Sequence, residues 1–468
     1  MKHTPPGFLR SVLLGVSCAL VSFHTYAQAP IRLEAEDGAL VGVEVSDTAA
    51  GHSGSGYVTG FEEDEDHVAW KTEVDGGFYN VRIGYRTPDG EKGFTMTLGG
   101  VTHSEVFPAN NQFAVYRLGR YRLDAGSHTI KIGGGWRFYE IDYVELEPTT
   151  APKPPLPVAA VPVDPNATKE TKELMRRLAR TYGSRTVSGQ QAIYELVFVE
   201  EITGKRPAIL SGDLVDYSPS RVEHGNAPMG YTESLIEQCR KDGHILTLLW
   251  HWNAPTNLYE TEENPWWSGF YTRATGFDIK AALANPEGTE YPLLLRDIDV
   301  IAAELRKVQE AGIPVLWRPL HEAEGEWFWW GARGPEAFKK LWRLLFERLT
   351  KHHGIQNLIW VLSGEKEDWY PGDDVVDIIG VDAYPEDVAD PLVGRWTPLL
   401  ERFNGKKLIA LAEFGGAPDV DGMHALGVQW VYFVSWEDKH GPYGPGIMDK
   451  DDLKRIYTSD KVITLDEL

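Results

Sequence analysis

From about residue 166 onward the sequence alternates strand and helix patterns, and this repetition constrains the fold more than any other feature. Eight apolar runs recur: "RTVSGQQ", "PAILSGDLVDY", "HILTLLWHWNAP", "IPVLWRPLHE", "NLIWVLSGE", "VDIIGVDAY", "LIALAEFGG" and "WVYFVSWED". Amphipathic helices lie between them. "PEAFKKLWRLLFERLTKHHG" puts Phe338, Leu341, Trp342, Leu345 and Leu349 on one stripe, opens with Pro335 and stops at Gly354. "LLLRDIDVIAAELRKVQEAG" behaves the same way and stops at Gly312. Eight such units in about 300 residues predict a (β/α)8 TIM barrel, whose working residues gather at the C-terminal ends of the strands.

The preceding chain is different. Residues 30–147 hold short alternating runs, among them "HVAWKTEV", "FYNVRIGYRT", "FTMTLGG", "HTIKIGG" and "IDYVELE", separated by the turn sequences "DGG", "TPDGEKG" and "DAGS". That pattern predicts an all-β sandwich of the jelly-roll type. "EPTTAPKPPLPVAAVPVDP" follows, rich in proline and poor in charge, and marks residues 148–165 as a semi-rigid linker ahead of a barrel domain at 166–468.

Residues 1–27 read as a signal peptide: Lys2 and Arg10, then the apolar "SVLLGVSCALVSF", then "TYA" before Gln28. Lipid attachment at Cys18 is set aside. Gly15, Val16 and Ser17 lack the usual leucine, and the apolar run continues past the cysteine. A secreted, extracellular or periplasmic protein is expected. Losing Lys2 and Arg10 takes the formal charge from −23 to −25, which disfavours nucleic acid and anionic membranes as partners. No later stretch is long and apolar enough to cross a membrane. Only Cys239 remains, so no intramolecular disulfide can form. A monomer is expected.

Chemistry concentrates at the predicted strand ends. Glu322 closes the fourth strand and Glu413 the seventh. Strand ends of a barrel converge on one mouth, so these acids can face each other. Two facing carboxylates suit glycosidic cleavage: one protonates the leaving oxygen, while the other attacks the anomeric carbon or activates water. "HEAEGEWFWWG" sets Glu322 beside Trp327, Trp329 and Trp330, and one of the adjacent pair Trp329 and Trp330 is expected to join Trp327 on the cleft wall. His251, Tyr384 and Trp436 end the third, sixth and eighth strands; Trp317 and Trp360 lie inside strands and belong to the core. "HEAEG" lacks the second histidine of a helical zinc protease, and neither a G-x-S-x-G elbow nor a P-loop is present.

The barrel half resembles glycoside hydrolase family 26, mostly secreted β-mannanases, through "WRPLHEAEGEWFWWG", "LLWHWNAP", "WWSGFYTRATGFDI", "LLLRDIDVIA", "YPGDDVVDIIGVDAY" and "ALAEFG". The resemblance implies that Glu322 is the acid/base and Glu413 the nucleophile of a retaining reaction on β-1,4-mannosidic bonds, endo-acting or releasing short products from an end. It implies that His321 orients the acid or contacts the sugar, that Trp327 stacks near the cleaved bond and that Tyr384 hydrogen-bonds the nucleophile. His251 would contact the sugar in the −1 subsite and Trp436 would floor that subsite. No cofactor is implied for catalysis. Relatives acting on β-1,3-xylan or mixed-linkage β-glucan keep those substrates open, and a non-catalytic polysaccharide-binding protein is the alternative of another class.

The first half is similar to carbohydrate-binding module family 35 through "RLEAEDG", "GHSGSGYVTGF" and "GWRFYEIDYVELEP". That resemblance implies a structural Ca²⁺ held by Glu34, Glu36 and Asp142. Glu34 and Glu36 are expected to alternate onto one face of a first strand beside Asp142 on the last, a hard-oxygen set suited to Ca²⁺. Trp136 is implied as the sugar platform. Glu140 stands where the family often has a sugar-contacting asparagine.

Overall fold

The computed structural model describes Met1 and residues 29–468. The expected signal peptide and Cys18 lie outside the described residues. Among those residues no helix is long and apolar enough to cross a membrane.

Residues 31–149 form two antiparallel sheets. One runs Glu44–Ser46, Tyr57–Thr59, Glu140–Thr149, Gly77–Thr87, Asn110–Leu123, with Ile31–Glu34 also paired to Glu140–Thr149. The other runs Ala39–Val41, His67–Val74, Gly126–Gly133, Lys92–Leu98, Val101–Phe107. Alternate residues turn inward, and Tyr85, Phe94 and Phe107 stack between the sheets. The strand His67–Val74 coincides with its expected run, and four more lie within two residues of theirs. Two long strands had no counterpart in the sequence reading, Val101–Phe107 and Asn110–Leu123, nor did the three-residue strands Ala39–Val41, Glu44–Ser46 and Tyr57–Thr59. Each of the two long ones is the last strand of its sheet: Val101–Phe107 turns His103 and Glu105 inward on the same face as Phe107, and Asn110–Leu123 carries Arg117, Arg120 and Arg122 on its outer face, so neither shows a clean alternation.

Residues 151–162 have no regular secondary structure but lie on the barrel. The amide of Leu156 donates to Asn404 Oδ1 (2.7 Å) and that of Val163 to Asp377 Oδ1 (2.7 Å).

The barrel closes through eight parallel strands: β1 (Gly189–Gln191), β2 (Ile209–Asp213), β3 (Ile245–Trp250), β4 (Val315–Pro319), β5 (Leu358–Ser363), β6 (Ile378–Ala383), β7 (Leu408–Phe414) and β8 (Phe433–Ser435). All eight fall within the apolar runs of the sequence. Strands covered on both faces need no alternation, which is why they read as continuous apolar segments. The helix Pro335–Glu347 buries Phe338, Leu341, Trp342 and Leu345 and ends in a wider turn, Arg348–His352, that buries Leu349. Gly312 and Gly354 take left-handed backbone where these helical segments stop. Trp317 and Trp360 are core, as expected.

The sandwich lies against the barrel segment that follows β6. Asp390 is buried at the start of the helix Val393–Phe403; its Oδ1 pairs with His103 Nδ1 (3.0 Å) and its Oδ2 accepts from the Ser104 amide (3.1 Å). Asp387 Oδ2 accepts from the Thr102 amide (3.2 Å). A Cβ on Gly394 would lie 2.2 Å from Glu105 Oε1, so the helix passes directly over that carboxyl.

Candidate active site

Arg318, inside β4, organises the mouth of the barrel. It is 3% exposed and lies between two acids: Nη1 donates to Asp382 Oδ2 (2.8 Å) at the end of β6, and Nη2 to Glu413 Oε2 (2.5 Å) on β7. The other oxygen of Glu413 accepts a hydrogen bond from the Tyr384 hydroxyl. Two donors on its two oxygens suit an ionised carboxylate, which can only accept. Burial pushes the Tyr384 phenol up, with the Glu413 charge adding to it, so Tyr384 remains a donor.

Glu322 has a different environment. Burial pushes its carboxyl up to about 8, and the charges of Glu413 and Asp382 push the same way against Arg318. Its Oε2 accepts from Trp327 Nε1 (3.1 Å). The backbone there is strained: Leu320, Glu322 and Glu326 all have left-handed φ, 52°, 53° and 59°. Clustered positive φ at non-glycine residues is characteristic of functional sites. Gly325 lets the Trp327 ring lie over it in this position, since a Cβ there would fall 1.8 Å from the ring.

His321 and His251 stand side by side, Nε2 to Nε2 3.1 Å, and His251 Nδ1 is 2.6 Å from Asp213 Oδ2. If His251 Nδ1–H donates to Asp213, its Nε2 is left to accept from His321 Nε2–H. Burial, Arg318 and His251 hold His321 well below the usual histidine range, which keeps it neutral. The Trp436 ring lies 6.2 Å from that of His251.

The structure thus gathers Glu322, Glu413, His251, His321, Trp327, Tyr384 and Trp436 at one mouth. The indole wall is a correction. Trp327 is 48% exposed, but Trp329 and Trp330 are both buried. Their N–H groups donate to Trp252 O (2.6 Å) and His321 O (2.9 Å), so they brace the strand ends behind the cleft. Sequence reasoning missed Arg318, Asp382 and Asp213. The signal was there for Arg318: an arginine inside an apolar strand needs acidic partners.

Beside Glu322, a pocket of about 110 Å³ is lined by residues of β5, β6 and the segments that follow β4 to β6, among them Glu324, Trp327, Glu365, Asp382 and Arg395. Arg395 Nη1 donates to Asp382 O (2.8 Å) and Nε to Glu365 Oε1 (3.0 Å). Burial pushes the Glu324 carboxyl up to about 7.

In the sandwich, the acids expected to hold calcium surround one turn. Ser53 Oγ donates to Glu34 Oε2 (2.7 Å), its amide donates to Asp142 Oδ1 (2.8 Å), and Ser55 Oγ donates to Glu36 Oε1 (3.1 Å). Glu36 Oε2 is buried without a hydrogen-bond partner. Glu36 does not share a strand with Glu34, since the strand stops at Glu34 and Glu36 sits in a 3-10 turn. Among the described residues no three His, Cys, Asp or Glu side chains close into a set that could hold a metal. Trp136 is 60% exposed, while Glu140 is held by Arg86, whose Nη2 donates to Glu140 Oε1 (2.8 Å).

Residues 163–467 match the model of glycosyl hydrolase family 26, and residues 31–149 that of carbohydrate binding module family 35. The chain belongs to family 26. It is 43% identical to a mannan endo-1,4-β-mannosidase of Thermothelomyces thermophilus, over 93% of this chain and 90% of that one. It is 32% identical to mannan endo-1,4-β-mannosidase B of Piromyces sp., over 98% and 81%. Among solved structures, a GH26-CBM35 β-(1,4)-mannanase of Podospora anserina is 45% identical over 94% of this chain and 98% of that one, with a TM-score of 0.68. A ruminal GH26 endo-β-1,4-mannanase is 28% identical over 95% and 99%, with a TM-score of 0.65. This family-26 chain is therefore a glycoside hydrolase with an N-terminal carbohydrate-binding module.

Proposed function

We propose that the protein is an exported, monomeric endo-β-1,4-mannanase that cleaves mannan, galactomannan or glucomannan with retention of configuration. The observation that carries the mechanism is the split between two facing acids: Glu322 is lifted to about 8 while Glu413 lies between Arg318 and Tyr384. A carboxyl kept protonated beside one whose two oxygens both accept hydrogen bonds divides the pair into acid and nucleophile. Glu413 attacks the anomeric carbon as the bond to the leaving oxygen breaks, and Glu322 gives that oxygen its proton. Water then loses a proton to Glu322 and displaces Glu413 from the sugar. His251 and Trp436 hold the attacked sugar, His321 fixes His251, and Trp327 stacks across the cleaved bond. The names of the relatives support mannan as the substrate, and the leader-like residues 1–27 support export. The division into a sandwich at 30–147, a linker at 148–165 and a barrel from 166 accompanies this reading.

Glu34, Glu36 and Asp142, which do not stand as a closed ligand set, are proposed to draw together on a structural Ca²⁺, supported by their shared turn at Ser53 and Ser55 and by the orphan oxygen of Glu36. Added calcium should raise the unfolding temperature and a chelator lower it; no response to either would end that assignment.

The test of function is reducing-end release from linear mannan, galactomannan, glucomannan, β-1,3-xylan and mixed-linkage glucan, by the wild type and by Glu413→Ala. Cleavage of the mannans to a ladder of products, lost in the variant, is expected. Activity confined to another glycan would change the substrate, and inactivity on all five would leave a binding protein.

A further inference from the structure

Two exposed aromatics of the sandwich stand on a loop built to present them. Trp136 is 60% and Phe138 53% exposed. Arg137 and Phe138 both have left-handed φ, 64° and 56°, and Arg137 is pinned by Asp64 and by the carbonyl of Glu62 (3.0 Å). The Trp136 indole lies flat on Gly93, where a Cβ would come within 3.0 Å of the ring. Strain and pinning that only keep two large rings in water make sense if the rings meet a ligand.

The direction of this loop is fixed by the barrel. Glu91, two residues from Gly93, is 3.8 Å from Lys366, on the segment that follows β5. The Lys366 amide donates to Glu324 Oε1 (2.9 Å), and Glu324 lines the pocket beside Glu322. The sandwich loops therefore open on the same side as the barrel mouth, next to the β5 and β6 side of Glu322, across β4 from His251, which follows β3. If the attacked sugar sits at His251 and Trp436, this is where the leaving part of the chain emerges. The surface between is polar: Glu365 with Arg395, then the half-exposed pair Lys366 and Glu91. Neutral, hydroxyl-rich sugar suits such a surface. His103 and Asp390, both buried, fix the spacing between the domains.

We propose that the cleft and the module form one continuous glycan track, in which the leaving-group end of a single β-mannan chain runs from Glu322 past Lys366 and Glu91 onto Trp136 and Phe138. The track rests on the mannanase reading above and adds to it a shared substrate and a direction.

The experiment is calorimetric titration of full-length Glu413→Ala with β-1,4-manno-oligosaccharides of increasing length, repeated with Trp136→Ala and with Phe138→Ala added. Short oligosaccharides should bind the cleft and the module separately, two per protein. Beyond the length that spans the track, one should bind per protein, with affinity stepping up about tenfold or more, because the second contact becomes intramolecular. Trp136→Ala should remove the step and Phe138→Ala reduce it. Two ligands per protein at every length, with no step, would overturn the track and leave the mannanase reading untouched. A step that survives Trp136→Ala would also overturn it. No binding of even the short oligosaccharides, together with no cleavage of mannan by the wild type, would remove both.

Discussion

Two of the places where the molecule buries carboxylates, the barrel mouth and the junction between the domains, partner them differently. At the barrel mouth, Asp382 and Glu413 share one guanidinium, Arg318, and the remaining acid, Glu322, is left without a cation of its own. At the junction between the domains, Asp390 is met by His103 and two backbone amides. Its neighbour Glu105 has only the Tyr116 hydroxyl on one oxygen and nothing on the other. Burial pushes Glu105 up to about 8, the same value as Glu322. A raised carboxyl is thus no mark of catalysis. Glu322 stands out because it borders open space and faces a second acid already provided with donors.

The widest separation between the two places should come from Glu322→Gln. Loss of a general acid costs about 10²–10⁴-fold in rate. The loss should be much smaller on an aryl mannoside whose leaving group needs no proton. Glu322 must be protonated to donate, so the wild-type rate should fall as pH rises through about 8, and the variant should lack that limb. Equal losses on both substrates would deny Glu322 its role.

Arg318→Met should come next, because it leaves Asp382 and Glu413 buried without their cation. Breaking such a pair costs about 3–5 kcal/mol. Chemical denaturation should show that loss together with a collapse of kcat, whereas a variant of normal stability would mean the acids find other partners. Tyr384→Phe removes one hydrogen bond to a charged group, about 1.5–3 kcal/mol, or roughly ten- to a hundredfold in kcat. A change in KM alone would place Tyr384 in binding rather than in support of Glu413.

The smallest effect lies at the junction. Glu105 binds its proton more tightly folded than unfolded, so its contribution to stability is full at acid pH. It declines as pH rises from about 4.5 towards 8. Glu105→Gln cannot ionise, so its melting temperature should gain on the wild type across that window while kcat stays level. Parallel melting curves would show that Glu105 stays charged or meets water. Tyr116, Asp390, Arg395 and Glu365 face the same carboxyl and set the size of the effect.

The barrel was legible because each strand is covered on both faces and the two long helical segments that stop at Gly312 and Gly354 declare their stripes. Glu322 and Glu413 were legible because an acid at the end of an apolar strand has few structural reasons to be there. What escaped depends on distant partners. Trp329 and Trp330 looked like cleft wall until their N–H groups were seen to reach the carbonyls of Trp252 and His321. Asp213 is read as a support for His251 only once β2 and β3 are side by side. Val101–Phe107 escaped for the same reason: its inward His103 and Glu105 stand where an apolar residue is expected, and they answer to Asp390 and the helix at Gly394.

The edge strand Val101–Phe107 has a consequence for the module as a portable part. Its outward amides at Thr102 and Ser104 are capped by Asp387 and Asp390, two side chains that take the place of a neighbouring strand. Cut from this barrel, or spliced to another catalytic domain, the module would present a bare edge able to pair with a second copy of itself. Its solubility in isolation is therefore borrowed from the enzyme, and a transplant that keeps it soluble has to bring the two aspartates along.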